Sequence, residues 1–106
     1  MKSITTVNAG VCGFLSTITV ESEDGQEAKV TFRTECPNLK PLEDELTEVD
    51  AYAECFGKIG ETAIYQLAKK YCRHVSCPIP PAVIKGVEVA CGLALPRDVE
   101  IRIVRE

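Results

Sequence analysis

Residues 14–34 read FLSTITVESEDGQEAKVTFRT. Phe14, Ile18 and Val20 occupy even positions, with Thr17, Thr19 and Glu21 between them. Ala28, Val30 and Phe32 repeat that pattern, with Lys29, Thr31 and Arg33 between them. Period-two alternation of β-branched and aromatic residues marks strands with one buried face. Asp24-Gly25 lies between the two runs and is a hairpin-turn signal. Paired positions in an antiparallel hairpin share a constant sum, and here both buried faces are even, so the sum must be even. A short loop around Asp24-Gly25 makes it 48 or 50. An odd sum would leave one apolar set in water.

The same parity brings two cysteines together. At a sum of 48, Cys12 lies opposite Cys36; at 50 the two are diagonal neighbours. Directly opposed Cβ atoms lie ~4.5–5.5 Å apart and diagonal ones ~7–8 Å. Both cysteines are therefore expected at the open end of the hairpin, on its core-facing side and within one ion's reach.

Outward from the hairpin, Ile4–Val7 reads as a short strand ending at Asn8-Ala9-Gly10. Leu42, Leu46, Val49, Ala53 and Phe56 recur at helical spacing, interrupted by Gly57 and Gly60. A second helix is expected from Glu61 to about Arg73, with Ile64, Leu67, Ala68, Tyr71 and Cys72 on one face. Pro81 suits the first turn of a third helix running to about Leu93. Val99, Ile101 and Ile103 alternate with Glu100 and Arg102, which predicts a last strand. The order predicts a single α+β domain over residues 1–106, with helices packed on one face of a largely antiparallel sheet of three to four strands.

The composition narrows the function. Twelve Lys+Arg against 16 Asp+Glu give a net charge of −4. Without a basic run, this argues against a nucleic-acid binder or a polybasic membrane anchor. No apolar stretch approaches the ~20 residues of a membrane helix, and the first residues carry no signal-peptide block. A cytoplasmic protein is expected. Six cysteines stand against one histidine and no tryptophan. In a reducing compartment, clustered cysteines favour metal binding or redox chemistry over disulfides.

Cys12 lies in Gly10-Val11-Cys12-Gly13, where small residues allow backbone to approach an ion. Cys36, followed by Pro37-Asn38, marks a strand-to-helix junction. The pair admits three readings: metal or cluster ligation, a disulfide or redox pair, or inert packing. Cys77 precedes the Pro80-Pro81 helix start, and a helix N-terminus stabilises a thiolate. Cys77 is therefore expected to be the most reactive or ligating thiolate. Cys72 is either a fourth ligand or a core residue. His74 is either a ring-nitrogen ligand or, with Arg73, a cation at a helix C-terminus. Cys55 and Cys91 read as structural and inert, Cys55 having no assignable partner. The spacing matches neither a zinc ribbon nor a ferredoxin run.

Several of these pieces together resemble a known family. Cys12-Gly13, a strand, Asp24-Gly25, the run Val30-Thr31-Phe32-Arg33-Thr34 and then Cys36 are similar to the N-terminal hairpin of the iron–sulfur cluster assembly scaffolds, the IscU/NifU N-terminal family. Cys77 and the helix containing Ala82 and Lys85 look like that family's third cysteine and its helix. The likeness spans about residues 8–91 and implies a SufE/NifU-like fold with Cys12, Cys36 and Cys77 as cluster or zinc ligands. Phe14 stands where the family carries an acidic residue used in cluster release, and Ser76 where it carries a histidine. These departures, with Cys72 as an extra thiol, imply a more permanently held metal.

The expected function is thus a binding module rather than an enzyme. An iron–sulfur cluster or zinc would be held by Cys12, Cys36 and Cys77, with Cys72 or His74 completing four ligands. Its role would be cluster assembly, carriage or electron transfer, with a protein partner in sulfur or iron delivery. The alternatives are a thiol-based sulfur acceptor with Cys77 as nucleophile, and a structural zinc-bound interaction domain.

Overall fold

Ile18 faces Phe32 and Val20 faces Val30, so the hairpin adopts the even sum of 50. The structure, a computed structural model, describes residues 1–106. Strands β2 (Leu15–Glu21) and β3 (Glu27–Thr34) are antiparallel. Their turn is held by Asp24, whose Oδ1 accepts from the Gln26 and Glu27 amides at 2.9 Å each, while Gly25 adopts φ +77°. That positive φ favours glycine and explains the Asp-Gly pair. Strand β1 (Lys2–Asn8) pairs antiparallel with β2, so Ile4–Val7 extends one to two residues at each end.

The fold is α+β, with an open four-stranded antiparallel sheet in the order β1-β2-β3-β4. Its fourth strand is not the expected one. The apolar spacing from Leu42 to Phe56 does not form one helix: it divides into α1 (Leu42–Glu45), β4 (Glu48–Asp50) and α2 (Ala51–Phe56). Leu46 leaves the helical region at φ −99° and ψ 86°, and Val49 then pairs with Ala28 of β3. The Val30 amide donates to the Thr47 carbonyl at 2.8 Å, and the Ala51 amide to the Gln26 carbonyl at 2.8 Å. The β3 edge thereby gains hydrogen bonds that a continuous helix could not have supplied. The strand expected at 99–103 is absent, and Val99, Ile101 and Ile103 are exposed.

Helix α3 (Ala63–Tyr71) is capped by Thr62, and α4 (Ile79–Ala90) carries prolines in its first turn. The helices cover the sheet face formed by the even residues of β2 and β3. Ile18, Val20, Ala28, Val30 and Phe32 form one core cluster with Leu42, Ile64, Val83 and Val87. Gly86 lets α4 approach β1 closely, because a Cβ there would lie 2.9 Å from Thr5 Oγ1; the Ser3 hydroxyl donates to the Gly86 carbonyl at 2.7 Å. No helix is long and apolar enough to cross a membrane.

Glu54 is the one buried carboxylate, 5% exposed on α2. Its two oxygens accept from the Ala63 amide at 3.1 Å and the Ile64 amide at 2.8 Å, satisfying two free donors at the start of α3. Hydrogen bonds to charged groups contribute ~1.5–3 kcal/mol, and removing the acceptor also strands two amides. Glu54→Ala should therefore lower stability by about 2–3 kcal/mol, readable by urea unfolding. Loss of less than a few tenths would mean that water replaces the carboxylate there.

Candidate metal centre

Cys77 lies within electrostatic reach of Cys72 and Cys36, so that cysteines from three separate segments are neighbours. Cys36 lies two residues beyond Thr34, the last residue of β3. Its amide donates to Thr34 Oγ1 at 3.0 Å, and that hydroxyl also pairs with Ser16 Oγ at 2.8 Å in the buried interior. The Cys36 carbonyl accepts from Leu39 at 3.2 Å, which turns the chain toward α1.

Cys72 ends α3. Its amide still donates to the Ala68 carbonyl at 2.7 Å, but its own backbone is extended at φ −74° and ψ 129°. Its thiol donates to the His74 carbonyl at 3.3 Å. The same carbonyl accepts from the Cys77 amide at 3.2 Å, so one oxygen ties both cysteines into a tight turn.

Cys77 stands at the mouth of α4. A helix start normally presents several unbonded amides. Here Pro80 and Pro81 have none, and the Ala82 amide donates to the Pro78 carbonyl at 3.2 Å. The Ile79 amide remains, and it donates to Cys77.

The surroundings of Cys77 act on its thiol in opposite directions. Burial above all, opposed by the Ile79 amide and aided by the neighbouring Cys72 and Cys36 thiols, pushes its thiol from 9.0 up to about 11. Burial and like-charge neighbours thus outweigh the helix N-terminus. As anions, the Cys72 and Cys36 thiols would each repel a Cys77 thiolate.

Cys36, Cys72 and Cys77 are all half-buried and pack against the core. Cys12 does not join them. It is exposed, in the loop 9–14 that links β1 to β2. Strand pairing ends at Asn8 opposite Leu15, so the diagonal approach of Cys12 to Cys36 is not realised. Gly10 and Gly13 adopt φ +91° and +69°, and the Gly13 amide donates to the Gly10 carbonyl at 2.8 Å. This turn carries the chain out of the ladder before Cys12 can reach the core side. The loop still leaves the same sheet end as Cys36, because Leu15 and Glu35 remain hydrogen-bonded at 2.9 Å. The His74 side chain is exposed. No three His, Cys, Asp or Glu side chains are already spread around a metal position. Loading would require rotation of thiols that now hydrogen-bond locally.

Beside Cys72 the packing is tight and apolar. The void beside Cys72, lined by Leu39, Leu42, Leu46, Ile64 and Ile79, measures about 10 Å³. That is at the lower limit for a single water.

Cys55 and Cys91 lie near each other between α2 and the end of α4. Burial first, then Glu88 and Cys91, pushes the Cys55 thiol up to about 11. The sequence offers no neighbour for Cys55, because its proximity to Cys91 arises only when α2 packs near the end of α4. Glu54 was likewise missed, since an acidic residue in an amphipathic run normally faces water.

These shifts make a prediction for the metal-free chain. Cys55 and Cys77 hold their protons more tightly when folded, so the folded state binds more protons than the unfolded state above pH 9. Their contribution to stability is complete below pH 9 and is lost as pH rises from 9.0 through about 11. The melting temperature should fall across that window and fall less steeply in Cys77→Ser. Equal slopes in both proteins would remove burial of Cys77 as a cause.

The chain belongs to DUF6951, a family of unknown function, whose model matches residues 3–103. No curated protein and no solved structure matches it.

Proposed function

We propose that this chain is a metal-binding protein whose site is built from Cys36, Cys72 and Cys77, with Cys12 brought in by its glycine-flanked loop as the fourth thiolate. The observation that carries this reading is the convergence of three half-buried thiols from the end of β3, the end of α3 and the start of α4. Thiolate-rich, four-coordinate sites suit zinc or an iron–sulfur cluster. His74 is the other candidate for the fourth position, its backbone being already part of the turn that holds Cys72 and Cys77.

The likeness to the cluster-assembly scaffolds supports the iron–sulfur option, with delivery of iron or sulfur by a partner protein. Phe14 and Ser76 in place of an acidic residue and a histidine favour a metal that is held rather than handed on. The burial that raises Cys77 counts against the alternative, thiol exchange with Cys77 as nucleophile, because the thiolate is the attacking species.

Anaerobic purification followed by metal analysis and a visible spectrum tests the proposal. Iron with sulfide and a visible charge-transfer band would identify a cluster. Zinc without visible absorption would identify a structural or zinc-carrying site. A chain that retains no metal and takes up neither zinc nor iron when reduced would overturn the reading.

A further inference from the structure

We propose that residues 100–106 are an exchange strand that adds antiparallel to the open edge of β1 in a second copy of this chain, giving a reciprocal dimer.

Helix α4 ends in a complete cap. Gly92 adopts φ +73°, and the Gly92, Leu93 and Ala94 amides donate back to Val89 and Glu88. Beyond Ala94 no backbone group makes a hydrogen bond to any other part of the chain. Yet Val99, Ile101, Ile103 and Val104 are 60–88% exposed. An alternating strand pattern is therefore present without a ladder.

A vacant ladder exists in the same molecule. Strand β1 pairs only with β2, so its outer edge is open along seven residues. Sheet edges are usually blunted by proline, bulges or several charges. Strand β1 has no proline, pairs without a bulge from Lys2 to Asn8, and carries one charge, Lys2. Its odd residues Ser3, Thr5 and Val7 turn toward α4, and its exposed even residues include Ile4.

One register satisfies both strands. Antiparallel pairing at a sum of 108 sets Lys2 beside Glu106, Ile4 beside Val104, Thr5 beside Ile103 and Val7 beside Ile101. The exposed Ile4 and Val104 then cover each other, the charges oppose, and Ile101 and Ile103 lie on the α4 side. A slip of one residue reverses every face and turns Glu100 and Arg102 toward the helix.

The strand's own copy cannot supply this pairing directly. The tail leaves α4 at Gly92, where a Cβ would lie 2.9 Å from Met1 Cε, beside the start of β1. From there it could follow its own β1 only in the parallel sense. The antiparallel register would require it to run the length of β1, about 20 Å at ~3.3 Å per residue, and then reverse. A second copy meets the register without a reversal. Reciprocal exchange closes as a two-fold dimer with no strand left over.

Sedimentation of the full chain, Ile101→Asp/Ile103→Asp, and that variant mixed with a peptide of residues 96–106 tests this. The full chain should be dimeric, with amides 100–106 protected from hydrogen exchange. The variant should be monomeric with an unchanged fold, since the replaced residues are 75% and 88% exposed in their own copy, and it should bind the peptide one to one. A Glu106→Lys peptide should bind about two- to fivefold more weakly, the range for a cross-strand charge pair, and Lys2→Glu in the protein should restore it. A full chain that stays monomeric, a dimer that survives in the variant, or a monomer whose tail amides are protected would each overturn the exchange.

Discussion

With excess zinc, the reduced chain is expected to unfold at a distinctly higher temperature than its metal-free form, and Cys77→Ser is expected to abolish that shift. A ligand that binds only the folded state at a thousandfold excess over its dissociation constant stabilises by about 4 kcal/mol. For a domain of this size that raises the melting temperature by roughly 15 °C. The effect should depend on Cys36 and Cys72 as strongly as on Cys77, because thiols sharing one ion fail together rather than additively. Cys55→Ser and Cys91→Ser should leave it intact, since their thiols lie elsewhere, between α2 and the end of α4. Comparison of Cys12→Ser with His74→Ala identifies the fourth ligand, because removing the true one leaves a three-coordinate ion that dissociates more readily. Binding should also tighten with pH, by about tenfold per unit for each thiol that releases its proton to the metal. A zinc-induced shift unchanged in Cys77→Ser would place the metal elsewhere.

Phe32→Ala is expected to destabilise the metal-free chain by about 3–5 kcal/mol, the range for truncating a buried aromatic. Phe32 has no exposed surface and faces Ile18 across the hairpin, in the cluster shared by the sheet and helices. Neither neighbour can follow it into the vacated space without breaking the ladder at Ile18 or the helix packing. A domain of this size is stable by only ~5–15 kcal/mol, so the variant should be partly unfolded in mild urea. Thr31→Ala, one residue away on the exposed face, should change stability by well under 1 kcal/mol. Comparable losses at both positions would contradict the register that places even residues inside.

That register was legible because two strands with matching parity admit only an even sum, and the turn at Asp24-Gly25 limits the choice to two values. Residues 42–56 were not legible. Their apolar spacing fits a helix, yet Leu46 turns the chain and Val49 joins β3, because the β3 edge has amides to satisfy and spacing carries no record of that demand. At residues 99–103 the alternation is real, but alternation describes a strand's faces and not the strand it pairs with. The places of the cysteines were partly legible. Cys36 sits just past a strand end and Cys77 just before a helix start, as the local pattern implies. Cys72 remained ambiguous because it continues the apolar face of α3; only the structure turns its thiol to the His74 carbonyl. Cys12 followed from the assumption that pairing continues past Leu15, which the positive φ angles at Gly10 and Gly13 defeat.

Titration of the reduced chain with cobalt(II), whose tetrahedral thiolate complexes absorb strongly in the visible, tests the metal site most directly. The account predicts tetrahedral absorption that saturates at one ion per chain, is displaced by zinc, and disappears when Cys36, Cys72 and Cys77 are replaced by serine with Cys55 and Cys91 retained. Absence of tetrahedral absorption in the wild-type chain, or its persistence in the triple variant, would contradict it.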